Sequence, residues 1–205
     1  MADTKENILH TALRLFARDG YEAVSVSAIA GELGMTKGAL YKHYKNKRAI
    51  FDSIVERMYQ IDAEHSQAYA VPQEVYGDAP ESYCGVTIPA VQAFTRVQFR
   101  FWTEDAFASD FRRMLKLEQY RSQEMAALYS QCLTAGPVAY MADIFREMIA
   151  RGLLQPGDPR QLALEFYAPM YLLMDLPVSD ENAALLEEHM AAFLRRHAEK
   201  EGDTL

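Results

Sequence analysis

Cysteine, tryptophan and long apolar runs are all scarce in this chain, and each scarcity excludes something. The two cysteines, Cys84 and Cys132, stand 48 positions apart with no CxxC or metal-ligand spacing. A disulfide scaffold or a cysteine-bound metal is therefore not expected, and both read as reduced thiols, Cys132 within a helix core. No stretch approaches the ~18 uninterrupted apolar residues of a spanning helix. Met1 to Glu6 combine acids with no apolar h-region, so no signal peptide is expected. The motifs GxSxG, HExxH, GxxxxGK and GxGxxG do not occur. Adjacent acids such as Glu104-Asp105 and Glu187-Glu188 project to different sides of a helix and make poor acid/base pairs. The expectation is a cytoplasmic protein that is not an enzyme, with no membrane association, no cofactor and no metal.

Acids are also missing from one place where their abundance elsewhere makes the gap informative. The formal net charge is −8, yet Thr36 to Arg48 holds five Lys/Arg, one His and no Asp or Glu. Residues 1–49 carry 8 Lys/Arg against 5 Asp/Glu, whereas residues 50–205 carry 13 against 24. A basic module joined to an acidic body implies that one end meets a polyanion. Half the residues are apolar and 24% are charged, a composition that folds, and 205 residues suit a small module fused to a medium one.

Periodicity reads as all-α. Ile8, Leu9, Ala12, Leu13, Leu15 and Phe16 recur at helical spacing over 4–19, with Asp3 and Glu6 placed as a capping box and Gly20 as a left-handed stop. Ser25 caps a second helix that buries Val26, Ile29, Ala30 and Leu33; Gly34 ends it, and Thr36 caps the next helix at once. Helix, glycine turn and helix form a helix-turn-helix. Leu40 and Tyr44 face inward from the third helix, leaving Lys37, Gly38, Ala39, Tyr41, Lys42 and His43 outward on a rod that fits a major groove. Asn46 caps a fourth helix running from about Lys47 to Gln67.

The run from Ser25 to Phe51 resembles the DNA-binding signature of the tetracycline repressor (TetR) family. Ile29-Ala30, Gly34, Leu40-Tyr41, Tyr44 and Asn46-Lys47 all stand in register, and the likeness reaches from about residue 5 to 55. It implies an all-helical homodimer, usually a repressor released by a small molecule, with a near-palindromic operator on double-stranded DNA. It implies phosphate contacts for the caps Ser25 and Thr36, a groove-wall contact for Tyr41 and a phosphate contact for Lys47. Base or phosphate readout falls to Lys37, Gly38, Lys42 and His43. Ala39 departs from the Ser or Thr common there and is free to meet a thymine methyl instead. Ala28 stands where an acid commonly completes the cap.

Residues 68–88, with Pro72, Gly77, Pro80 and Gly85, read as a linker with one short helical turn. Five helices are expected after it, over 89–103, 105–133, 138–151, 159–176 and 180–198, with Gly136-Pro137 as a break. Six of the ten methionines lie between 114 and 174 among aromatics. Deformable Met with aromatics suits a pocket for a small effector, hydrophobic or cationic. Its expected members are Phe94, Gln98, Phe101, Trp102, Met114, Glu118, Met125, Tyr129, Met141, Phe145, Tyr167 and Met170. Glu118, on an apolar face, needs a partner such as Arg100, Arg121 or a cationic ligand. The last two helices carry apolar stripes of a homodimer bundle: Leu162, Phe166 and Leu173, then Leu185, Leu186, His189, Met190, Phe193 and Leu194.

The sequence thus reads as a three-helix DNA-binding domain, 1–48, and a larger helical effector-binding and dimerisation domain, 49–205. The function expected is sequence-specific transcriptional regulation; a ligand-binding or protein-interaction role on the same scaffold is the alternative.

Overall fold

The computed structural model describes residues 4–73 and 76–198. Among these there are ten α-helices and no β-strand. No described helix is long and apolar enough to cross a membrane. The chain divides into two compact units, Met1–Ala63 with Glu104–Tyr129, and Glu64–Thr103 with Ser130–Leu205.

The first unit begins with α1 (Thr4–Asp19), which buries Ile8, Leu13 and Phe16 completely and stops at Gly20, where φ is +86°. Asp3, the expected cap, lies outside the described residues. Helices α2 (Val26–Glu32) and α3 (Lys37–Tyr41) follow, separated by Gly34 at φ +64°. The left-handed backbone at both glycines is open to a residue without a Cβ. Helix α4 (Lys47–Ala68) opens on Asn46, whose Oδ1 accepts from the Ala49 amide at 2.8 Å. Helix α6 (Ala106–Glu118) packs along α1 and buries Phe111 and Met114.

Two boundaries differ from the sequence expectation. The single helix over 105–133 is two, α6 and α7 (Gln123–Leu133), because the Ser122 hydroxyl caps a new helix through the Met125 amide at 3.1 Å. Tyr120 at the corner is 90% exposed. Gly136-Pro137 does not separate helices at its own position but sits in the first turn of α8 (Ala135–Ala150). A Cβ on Gly136 would stand 1.9 Å from the Gln131 carbonyl oxygen, so only glycine permits the turn between α7 and α8.

The second unit is built on α5 (Ile88–Glu104), α8, α9 (Pro159–Leu173) and α10 (Asp180–His197). Its centre is an aromatic trio: Phe145 stacks on Phe193 at 5.4 Å, and Phe166 meets both edge-on at 5.4 and 5.0 Å. Segment 68–88 is more than a linker. Tyr83 in a 3₁₀ turn (Pro80–Tyr83) and Val86 are each 1% exposed, the Tyr140 hydroxyl donates to the Pro72 carbonyl, and Arg151 donates to that of Val86. Cys84 is exposed and Cys132 half-buried, and neither is bridged.

Gly31 and Gly136 make a paired test of this reading. Nothing lies within 4 Å of a Cβ at Gly31 in the exposed face of α2, so Gly31→Ala should stabilise by about 0.5–1 kcal/mol through helix propensity. Gly136→Ala should destabilise by roughly 1–3 kcal/mol through backbone strain. Urea denaturation of the two variants reads both signs.

Candidate nucleic-acid interface

Local chemistry places each part of the basic stretch. The Ser25 hydroxyl accepts from the Ala28 amide and the Thr36 hydroxyl from the Ala39 amide, each at 3.1 Å, so both helices begin on side-chain caps. Leu40 is fully buried and Tyr44 nearly so, which anchors the inner face of α3. Ser25, Thr36, Lys37, Gly38, Tyr41 and Lys42 are exposed, while Ala39 and His43 are half-buried at the edge of that face. The Lys37 ammonium lies 5.8 Å from the centre of the Tyr41 ring. Among the described residues no ion pair engages Lys37, Lys42 or Lys45, so three cations stand unneutralised on one short surface. Nothing lies within 4 Å of a Cβ on Gly38, which leaves room for another backbone to approach.

Two basic residues behave differently. Lys47 turns inward: its ammonium donates to the carbonyls of Tyr21 at 2.7 Å and Glu22 at 3.3 Å, and lies 4.3 Å over the Tyr21 ring. Its side chain is 22% exposed, and these bonds give it a structural role within the protein. Arg48 pairs with Asp52 at 2.6 Å and with both carboxylate oxygens of Glu124, one at 2.9 Å. These bonds raise the Arg48 pKa and hold the Glu124 carboxyl below its ordinary value, so both stay charged around neutrality.

The scan against protein families matches residues 8–54 to the bacterial regulatory proteins of the tetR family. Residues 8–54 are thus similar to the DNA-binding module of the TetR family. The tetracycline repressor protein class C of Escherichia coli is 40% identical over 62 residues, 30% of this chain and 28% of that protein. The HTH-type transcriptional regulator AcrR of Shigella flexneri is 43% identical over 54 residues, 26% of this chain and 25% of that protein. The chain spans about a quarter of the length of these relatives. Over the whole fold the chain is similar to SmeT, the repressor of the Stenotrophomonas maltophilia multidrug efflux pump SmeDEF. That likeness has a TM-score of 0.64 at 21% identity, covering 100% of this chain and 94% of that one, and carries the fold.

The expected effector residues are divided between the two units. Met114, Glu118, Met125 and Tyr129 belong to the first unit; Phe94, Gln98, Phe101, Trp102, Met141, Phe145, Tyr167 and Met170 belong to the second. Met114 and Phe145 are core, with 0% and 2% exposure. Glu118 finds its partner in the protein: Oε1 accepts from the Tyr21 amide at 3.0 Å, with Arg121 at 3.5 Å. A cleft of about 590 Å³ in the second unit is lined instead by Leu133, Thr134, Ala135, Val138, Asp158, Arg160, Gln161, Leu164, Tyr167, Ala168 and Tyr171. Tyr167 is its one member foreseen. Thr134 and Asp158 in this lining are the N-cap positions of α8 and α9.

The expected dimer stripes are also largely turned inward. Leu162, Phe166, Leu173, Leu186, Met190 and Phe193 are buried in the protomer's own core, and His189 and Leu194 are half-buried. The ring of His189 hydrogen-bonds the Phe166 carbonyl at 3.0 Å. Of these stripes only Leu185 is exposed, at 45%; Leu164, Leu172, Leu176 and Val178 are exposed elsewhere in the unit. The more strongly apolar stripe of each helix packs into the core of its own unit.

Lys47→Ala should lower the urea midpoint without any DNA present, by about 1–2 kcal/mol, because the two carbonyls lose a charged donor. Lys37→Ala, with nothing to lose in the fold, should leave the midpoint within about 0.5 kcal/mol.

Proposed function

We propose that this protein is a cytoplasmic, sequence-specific transcriptional regulator that inserts α3 into the major groove of double-stranded DNA. The observation that carries this reading is the acid-free face of α3, with three unneutralised lysines beside the capped start of a helix. Residues 1–48 do the reading, and residues 49–205 bind an effector and a second copy of the chain.

Phosphate contacts come from the exposed caps Ser25 and Thr36 and from the Tyr41 hydroxyl, which fix the register. Lys37, Lys42 and His43 reach base edges, Gly38 lets the DNA backbone approach, and the Ala39 methyl suits a thymine methyl. A two-fold homodimer requires a near-palindromic operator with half-sites about one helical turn, ~10 bp, apart or slightly more. The exposed apolar residues of α9, α10 and their connection are the surface for that pairing. Repression by occlusion is the default, relieved when a small hydrophobic or cationic effector binds the second domain and shifts the dimer toward a spacing that no longer matches the groove.

Random-site selection with the purified protein tests this, followed by fluorescence anisotropy on the selected duplex. The selected duplex should bind ~10³-fold or more tightly than a scrambled one at physiological salt. Lys37→Ala and Lys42→Ala should change which bases are preferred, and Tyr41→Ala should weaken all sequences alike. Recovery of no consensus would leave a ligand-binding or protein-interaction role on this scaffold.

A further inference from the structure

The backbone of Tyr21 is held from both sides by charged groups distant in sequence. Its N–H donates to Glu118 at the end of α6, and its C=O accepts from Lys47 at the start of α4. The ring lies between Phe16 at 5.1 Å and Phe51 at 5.2 Å. Gly20 beside it has no room for a side chain: a Cβ there would stand 2.9 Å from Glu118 Oε1. Glu118 is 1% exposed on an otherwise apolar face of α6, where a leucine would bury without desolvating a charge. Packing alone therefore does not account for a carboxylate at this position. A second tie lies six residues on, where Glu124 in the first turn of α7 holds Arg48.

Tyr21 is just before α2, and Lys47 and Arg48 are just after α3. The entry and exit of the helix-turn-helix are thus pinned to each other by Lys47 and to the α6–α7 corner by Glu118 and Glu124. We propose that Glu118 and Glu124 are positioning residues for DNA recognition, fixing the two ends of the α2–α3 unit and so the pose of α3. This rests on the DNA-binding reading above.

Charge gives the test a sign. Removing either carboxylate makes the DNA-binding unit more positive, and electrostatics alone would tighten binding to any duplex. Loss of position weakens binding to the correct one. Using the full-length protein and a duplex selected with wild type, Glu118→Ala and Glu124→Ala should each weaken selected-duplex binding by roughly tenfold, the scale of a charge-assisted hydrogen bond lost. Neither should weaken binding to the scrambled duplex. Glu118→Gln, which keeps an acceptor oxygen, should stay within about threefold of wild type. In hydrogen exchange without DNA, the Tyr21 amide should lose protection in Glu118→Ala and retain it in Glu118→Gln. Glu124 is exposed, so its variant reports even if Glu118→Ala does not fold. Unchanged or tighter binding to the selected duplex in Glu124→Ala, or wild-type protection of the Tyr21 amide in a folded Glu118→Ala, would overturn the assignment. Failure of the wild type to select any duplex would instead overturn the DNA-binding reading on which it stands.

Discussion

The peptide of Tyr21, with its N–H on Glu118 and its C=O on Lys47, is the contact on which the arrangement of the first unit depends. A left-handed glycine turns the chain out of α1, and the next peptide would be left with polar groups at a semi-buried site. Two charged side chains satisfy it, and two aromatic rings close around it. Satisfying a buried backbone group with a fully charged partner strengthens the bond and fixes its geometry. Burial pushes the Tyr21 phenol up, in keeping with a half-buried ring.

This has a consequence for how the basic residues divide their labour. All eight Lys/Arg before Ala49 lie among the described residues, yet they are not equivalent. Arg14 pairs with Glu32, Arg18 with Asp19, Arg48 with Asp52 and Glu124, and Lys47 with backbone carbonyls. Lys37, Lys42 and Lys45 make no ion pair among the described residues. Much of the module's positive charge is thus engaged within the protein. On the DNA-binding reading proposed above, few side chains are left to carry specificity and affinity, and the orientation of α3 matters more than its total charge.

The second unit follows a different economy, with little polar bonding at its centre and three phenylalanines in mutual contact. Its polar interactions lie at the periphery: Arg96 with Glu187, Arg196 and His197 with Glu165, and the backbone tie between Gln155 and His197. Such a core permits substitution of one apolar residue by another of similar volume more readily than the Tyr21 site permits any change. It is consistent with the comparisons, in which the family match covers residues 8–54 while the fold likeness extends along the chain at low identity.

What the sequence determined by itself was local. Gly20, Ser25, Gly34, Thr36 and Asn46 each act within about one helical turn, so the helix-turn-helix, its boundaries and its outward residues were legible from spacing alone. The all-α class was legible for the same reason. The tertiary structure decided everything that needed a distant partner. Glu118 reads as an effector ligand until Tyr21, 97 positions away, is brought to it, and Lys47 reads as a phosphate contact until the same residue turns it inward. The Ser122 cap was weaker than the apolar period running through it, and the stripes on α9 and α10 gave no sign of which side the core would take. Periodicity reports that a face is buried, whereas the identity of what buries it is a property of the folded chain.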